Sequence, residues 1–242
     1  MELTLLIVLM SALAPVLGSF IGILFYPSKS LTADMLAFAA GIMLGISFLE
    51  LIPFSLQISG LIICVLGFLV GSLLMYLLDR ILPHIHPELS SNEPGKQLKK
   101  TALFLIIGIF LHNFPEGMAI AVGSVAGVRI SLAVAVGIAI HNIPEGICTS
   151  APYYYCTKKR LKSFLLSSIT AIPVVLGFLT GRLLYSLDLS ALSSFIASLT
   201  AGFMIYISAD QLIPSAFNLS YRHDTIFSFI GGIVLVLLLM TI

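Results

Sequence analysis

Two short polar motifs interrupt a chain that is otherwise mostly aliphatic: His112-Asn113-Phe114-Pro115-Glu116-Gly117 and, 29 residues on, His141-Asn142-Ile143-Pro144-Glu145-Gly146. His and Glu four residues apart share one face of a helix, and the Asn between them sits about 100° round, at the edge of that face. Pro115 has no N–H to give the Leu111 carbonyl, and Pro144 leaves the Ile140 carbonyl in the same position. Gly117 and Gly146 permit close helix packing. Two such segments facing each other would bring two imidazoles, two carboxylates and two amide oxygens to one place. Imidazole with carboxylate suits Zn²⁺, Fe²⁺, Mn²⁺ or Ni²⁺, and the lack of thiolates argues against Cu(I) or a structural zinc. Two carboxylates offset the cost of holding a dication in a low dielectric.

Two blander readings compete. Each motif could be a His–Glu contact that glues helices together, although two matched copies at one depth make that a poor account. A metallohydrolase would also use His and Glu. The HExxH arrangement is absent, however, and Asn113 and Asn142 stand where its general base would be.

The elements that must position these motifs are membrane helices. The 242 residues are 59% hydrophobic and 10% charged, with mean hydropathy +1.11, far from the quarter or so charged of a soluble domain. A span takes roughly 20 apolar residues, and eight are expected, over 3–26, 31–54, 58–82, 101–124, 128–150, 162–185, 191–217 and 224–242. The first is too long for a signal-peptide core and is read as a true helix. His112 then lies roughly 17 Å into the fourth span, about half of a ~30 Å hydrocarbon core, and His141 lies at similar depth in the fifth. Of 12 Lys and Arg, only Arg129 and Arg182 fall on one side of this arrangement. Positive-inside bias therefore predicts both termini outside a plasma membrane and the loops after spans 3 and 5 in the cytoplasm. Cys64, Cys148 and Cys156 form no disulfide framework.

The ends of the chain resemble each other. Residues 40–53 align without gaps on 201–214, with eight of fourteen positions identical, and 16–26 align on 175–185, with six of eleven. Spans 1–3 thus echo spans 6–8, in opposite orientation. The expected fold class is an all-α polytopic membrane protein with eight transmembrane helices in a 3+2+3 arrangement. It forms one transporter domain over 1–242, with a first repeat 1–83, a cytoplasmic loop 84–100, a central metal-binding pair 101–150 and a second repeat 161–242. Inverted repeats about a central site are a signature of secondary transporters.

Other polar residues are secondary candidates. Glu50, with Ser47 nearby, and Asp210, with Gln211 and Ser208, are expected at mirrored mouths as entrance and exit ligands, against the alternative that helix-end acids simply reach water. His84 and His86, two apart in the loop after span 3, could collect released metal. Lys158, Lys159, Arg160 and Lys162 follow Tyr153-Tyr154-Tyr155 and read as a topological anchor with an aromatic belt. Nucleic acid is not an expected partner; divalent metal ions and the lipid bilayer are, and a homodimer is allowed.

The paired HNFPEG and HNIPEG motifs on consecutive spans resemble the ZIP (Zrt/Irt-like) family of divalent-metal transporters, and the chain is most similar to its short bacterial zinc-uptake branch. The resemblance covers essentially the whole sequence. It implies uptake of Zn²⁺, with Fe²⁺, Mn²⁺ or Cd²⁺ as further substrates, into a prokaryotic cytoplasm by alternating access, with no prosthetic group. It implies ion ligands at His112, Asn113, Glu116, His141, Asn142 and Glu145, the two glutamates able to bridge adjacent ions. Members of this branch usually carry a glutamate in span 6. Here that place reads Thr170-Ala171-Ile172-Pro173, and 161–187 contain no Glu, so a single dominant ion position, or a weaker second one, is expected. A metal-selective channel or an intramembrane zinc-dependent hydrolase are the alternatives.

Overall fold

A computed structural model describes residues 2–81, 95–185, 190–220 and 222–241. The described residues form α1 (Glu2–Gly22), α2 (Lys29–Ile46), α3 (Ile52–Ile81), α4 (Gly95–Ala126), α5 (Val128–Thr157), α6 (Arg160–Ser168), α7 (Ala171–Tyr185), α8 (Ser190–Ile207), α9 (Ile213–Leu219) and α10 (His223–Thr241). No strand occurs among them. Among the described residues, seven stretches are long and apolar enough to cross a membrane.

One of these stretches, Lys29–Arg80, is 52 residues long, or about 80 Å of helix, more than twice a ~30 Å core. It is broken at Gly60, whose φ of 73° and ψ of −172° lie outside the helical region and are open to glycine alone without strain. The sequence-based boundary at 54–58 is therefore displaced: helix continues through Ser55-Leu56-Gln57-Ile58, because no residue there forbids it. Two further boundaries differ. α4 begins at Gly95, inside the expected loop 84–100, since Lys96-Gln97-Leu98-Lys99-Lys100 are good helix formers. The sixth expected span is two helices, α6 and α7, parted at Ile169–Thr170, where Pro173 removes the N–H that the Ile169 carbonyl would otherwise receive.

Two π-helical turns, Ser47–Leu51 and Ser208–Leu212, join α2 to α3 and α8 to α9. They fall on matched positions of the 40–53 and 201–214 alignment. Their cause is local: Pro53 and Pro214 cannot donate to the Leu49 and Asp210 carbonyls, and their rings crowd those carbonyls. The ladder opens by one residue, so the Ile52 N–H reaches Ser47 and the Ile213 N–H reaches Ser208.

The helices pack in two groups. In one, α1 lies along α5, α4 along α7, and α4 and α5 against each other, with α6 touching α1 and α5. In the other, α3 lies along α8, and α2 along α10 and α9. Within each group backbones meet at glycine. A Cβ on Gly18 would strike the Ile143 carbonyl, and one on the matched Gly177 would strike that of Phe114. A Cβ on Gly146 would strike the Pro15 carbonyl, and one on Gly117 that of Val174. The second group shows the same correspondence: Gly41 against Phe229 and Gly232 against Phe38, matched by Gly202 against Phe68 and Gly71 against Leu199. At Gly137 the approach between the groups is looser. Gly137 of α5 meets only side-chain carbons, Ile46 Cδ1 at 3.4 Å, Ile42 Cγ2 at 3.5 Å and Leu239 Cδ1 at 3.9 Å, which is ordinary van der Waals contact.

Candidate metal centre

The two polar motifs lie mid-helix in α4 and α5, and both helices run through their prolines without ending. Tertiary packing sustains them there: the Gly117 seam holds α4 to α7, and the Gly146 seam holds α5 to α1. His141 Nε2 is 2.7 Å from Glu116 Oε1, and both side chains are fully buried. His141 Nδ1 is 3.2 Å from the Gly137 carbonyl. Nδ1 donating to that carbonyl would free the Nε2 lone pair for a metal, the ring orientation of a metal-ligating histidine, whereas without a metal the 2.7 Å contact needs a proton between Nε2 and Glu116. Glu145 completes the group: one ligand atom each from Glu116, His141 and Glu145 lie within 4.8 Å of one another. Two carboxylates and an imidazole at this spacing form a hard-to-borderline donor set suited to a divalent first-row cation.

The asparagines flank this cluster. Asn113 Nδ2 donates to the Thr170 carbonyl at 2.7 Å, which fixes the amide plane and leaves its buried Oδ1 without a hydrogen-bond partner among the described residues. Asn142 is fully buried, and neither its Nδ2 nor its Oδ1 has such a partner. The structure thus brings together Glu116, His141 and Glu145, with Asn113 and Asn142 one position from the clustered residues or on the same helical turn. His112 lies in α4 beside Asn113, its side chain outside the described set.

Of the secondary candidates, Glu50 falls in the first π-helical turn and Asp210 and Gln211 in the second. Gln211 Nε2 donates to Asp79 Oδ1 at 3.1 Å. Asp79 is 4% exposed and was not singled out from the sequence, where it reads as a helix-end acid beside Arg80. None of these residues joins the Glu116–His141–Glu145 cluster. His84 and His86 lie outside the described residues. In the expected interfacial anchor, Arg160 Nε donates to the Tyr154 hydroxyl at 3.1 Å, and the Lys158 ammonium sits 4.6 Å from the Tyr155 ring centroid.

The sequence also gave no sign of two supports. One is the Thr170 carbonyl. The other is a buried set of hydroxyls joining α1, α5 and α6: Ser19 Oγ lies 2.6 Å from Ser167 Oγ, which also contacts Thr149 Oγ1. The broken sixth span carries both, and the Pro173 signal that could have located the break was legible.

The family model described as ZIP zinc transporter matches residues 82–240, more than half the chain, with both polar motifs inside the match. The chain belongs to the ZIP zinc transporter family. It is similar, at 36% identity over 241 residues, to the zinc transporter ZupT of Escherichia coli O7:K1, covering 96% of this chain and 93% of that protein. The ZupT of Escherichia coli O127:H6 is 37% identical over the same coverage, and that of Escherichia coli K12 is 36% identical. As a ZIP protein the chain is a bacterial-type transporter, with zinc as its transported substrate, and not an enzyme.

Proposed function

We propose that this ZIP protein takes up Zn²⁺ across the plasma membrane into the cytoplasm by alternating access, the ion resting between α4 and α5 on Glu116, His141 and Glu145, with Asn113, Asn142 and His112 completing the shell. The observation that carries this reading is the cluster itself: two fully buried carboxylates within 4.8 Å of a buried imidazole. Like charges so close in a low dielectric destabilise the fold unless a cation joins them.

Counting the Lys29–Arg80 stretch as two spans parted at Gly60 gives eight helices, with a 3+2+3 order and both termini outside on the bias of Lys and Arg. The helix seams support two moving bodies. α1 with α5 and α4 with α7 interlock backbone to backbone around the ion, and α2 with α10 and α3 with α8 interlock as the pairs of a frame, whereas Gly137 faces the frame through aliphatic side chains. A seam of that kind has many near-equal packings, as displacement of one body against another requires. Glu50 on one π-helical turn and Asp210 with Gln211 on the other are then frame residues passed by the ion on entry and exit.

The deciding experiment is time-resolved Zn²⁺ uptake into proteoliposomes across a range of zinc concentrations, with Glu116→Ala alongside. A carrier gives saturable uptake that the variant loses. Uptake that never saturates would favour a channel, and uptake that survives the substitution would remove Glu116 from the ion's path.

A further inference from the structure

Asn113 and Asn142 hold matched places in the two motifs, yet among the described residues only Asn113 has its amide N–H bound, to the Thr170 carbonyl. The glycine seams identify what should stand opposite Asn142. Pro15, Gly18 and Gly22 of α1 meet Gly146, Ile143 and Ile147 as Val174, Gly177 and Gly181 of α7 meet Gly117, Phe114 and the Met118–Ala121 turn. In that register the counterpart of Thr170 is Ser11. Ser11 is one turn before Pro15 and one heptad before Gly18, so it shares the stripe of α1 that faces α5.

Ser11 has two acceptors to offer. Its carbonyl is the one that Pro15 cannot serve with an N–H. Its hydroxyl is fully buried and without a hydrogen-bond partner among the described residues. Ser19, Ser47, Ser150 and Ser208 each close onto the carbonyl four residues back, and Ser11 does not take up that default.

We infer that Ser11 is a positioning residue of the metal centre: the Asn142 amide docks on Ser11 as the Asn113 amide docks on Thr170, turning the Asn142 Oδ1 toward the ion. The inference rests on the ion-site reading above. One asparagine is held and its mirror image is not, so the centre has two arrangements. A cation that uses the Asn142 oxygen binds the held arrangement better and draws the contact closed. Ser11 then couples α1 to occupancy of the site.

The test is Zn²⁺ affinity of the purified full-length protein by calorimetry. Pro15→Ala supplies an N–H that captures the Ser11 carbonyl, and Ser11→Ala removes the hydroxyl. The combined variant should bind Zn²⁺ about tenfold more weakly, the fold-change of one buried hydrogen bond. Its zinc-free thermal midpoint should be unchanged or higher, because alanine replaces a helix-interior proline. The same two changes made in an Asn142→Ala protein should cause little further loss, since Ser11 acts only through that amide. Affinity equal to the parent, or losses that simply add, would overturn the inference. If the combined variant does not fold, Pro15→Ala and Ser11→Ala are measured singly, and a change below twofold in both overturns it. Glu116→Ala separates the two readings. Parental zinc binding there removes the ion site itself, whereas loss there beside a silent Ser11 pair removes only the role of Ser11.

Discussion

His141 of α5 and Glu116 of α4 meet at 2.7 Å with no exposed surface on either side chain, and this contact joins the two halves of the proposed ion site across a helix interface. A bond between a carboxylate and an imidazole at this depth is strong only while both partners are present. Loss of one leaves the other buried and uncompensated.

Glu116→Gln and Glu145→Gln should therefore each reduce Zn²⁺ uptake to background while leaving helix content unchanged. The shape of the side chain is kept and one negative charge is lost. Removing one charge-assisted contact is worth about 1.5–3 kcal/mol, or roughly ten- to a hundredfold in zinc affinity. Circular dichroism beside the uptake assay distinguishes a lost ligand from a lost fold.

Asn113→Asp should weaken zinc binding even though it adds a negative charge near a cation. The Nδ2 of Asn113 donates to the Thr170 carbonyl, and a carboxylate oxygen in its place would face that carbonyl with no proton between them. A calorimetric dissociation constant settles the sign. Tighter binding by the variant would mean that the Thr170 contact does not hold the side chain.

Gly18→Ala and Gly177→Ala should each lower the thermal midpoint in detergent, because the new Cβ would strike the Ile143 or Phe114 carbonyl. Overpacking of this sort costs about 1–3 kcal/mol. Gly137→Ala should be close to silent in the same assay, since its nearest neighbour is the movable end of Ile46 at 3.4 Å. Equal losses at all three positions would erase the distinction between the rigid seams and the loose one.

Ser55 Oγ and Ser194 Oγ lie 2.9 Å apart within the frame group. In a protein whose three native cysteines have been replaced, Ser55→Cys with Ser194→Cys should form a disulfide on oxidation, because the pair is within disulfide reach. Transport should persist, since the bridge joins helices that move together. Uptake that stops on oxidation and returns on reduction would place a moving boundary between α3 and α8.

Much of this arrangement was legible in the sequence, for physical reasons. The four-residue spacing of His141 and Glu145 puts both in one buried group with Glu116 because four residues make about one helical turn. The 40–53 and 201–214 match carries the paired π-helical turns because Pro53 and Pro214 act locally. Gly60 was less legible: glycine is common in apolar helices, and only its backbone angles reveal which one turns the chain. Asp79 and the Thr170 carbonyl were not legible, since each acquires its role from a helix distant in sequence. A main-chain carbonyl in particular leaves no mark on residue identity.

The contrast between the glycine seams and the aliphatic boundary at Gly137 has a consequence for how such a chain can be altered. Ile42, Ile46 and Leu239 can be exchanged for other branched hydrocarbons over generations at small penalty, whereas Gly18, Gly146 and Gly177 admit no substituent. Heat resistance is thus most easily gained by tightening that boundary, where variants are cheap, and on the two-body proposal tightening it resists displacement of one body against the other. Selection for a hardier protein in the laboratory should accordingly enrich slow transporters with an unchanged appetite for zinc, their defect lying in friction rather than in recognition.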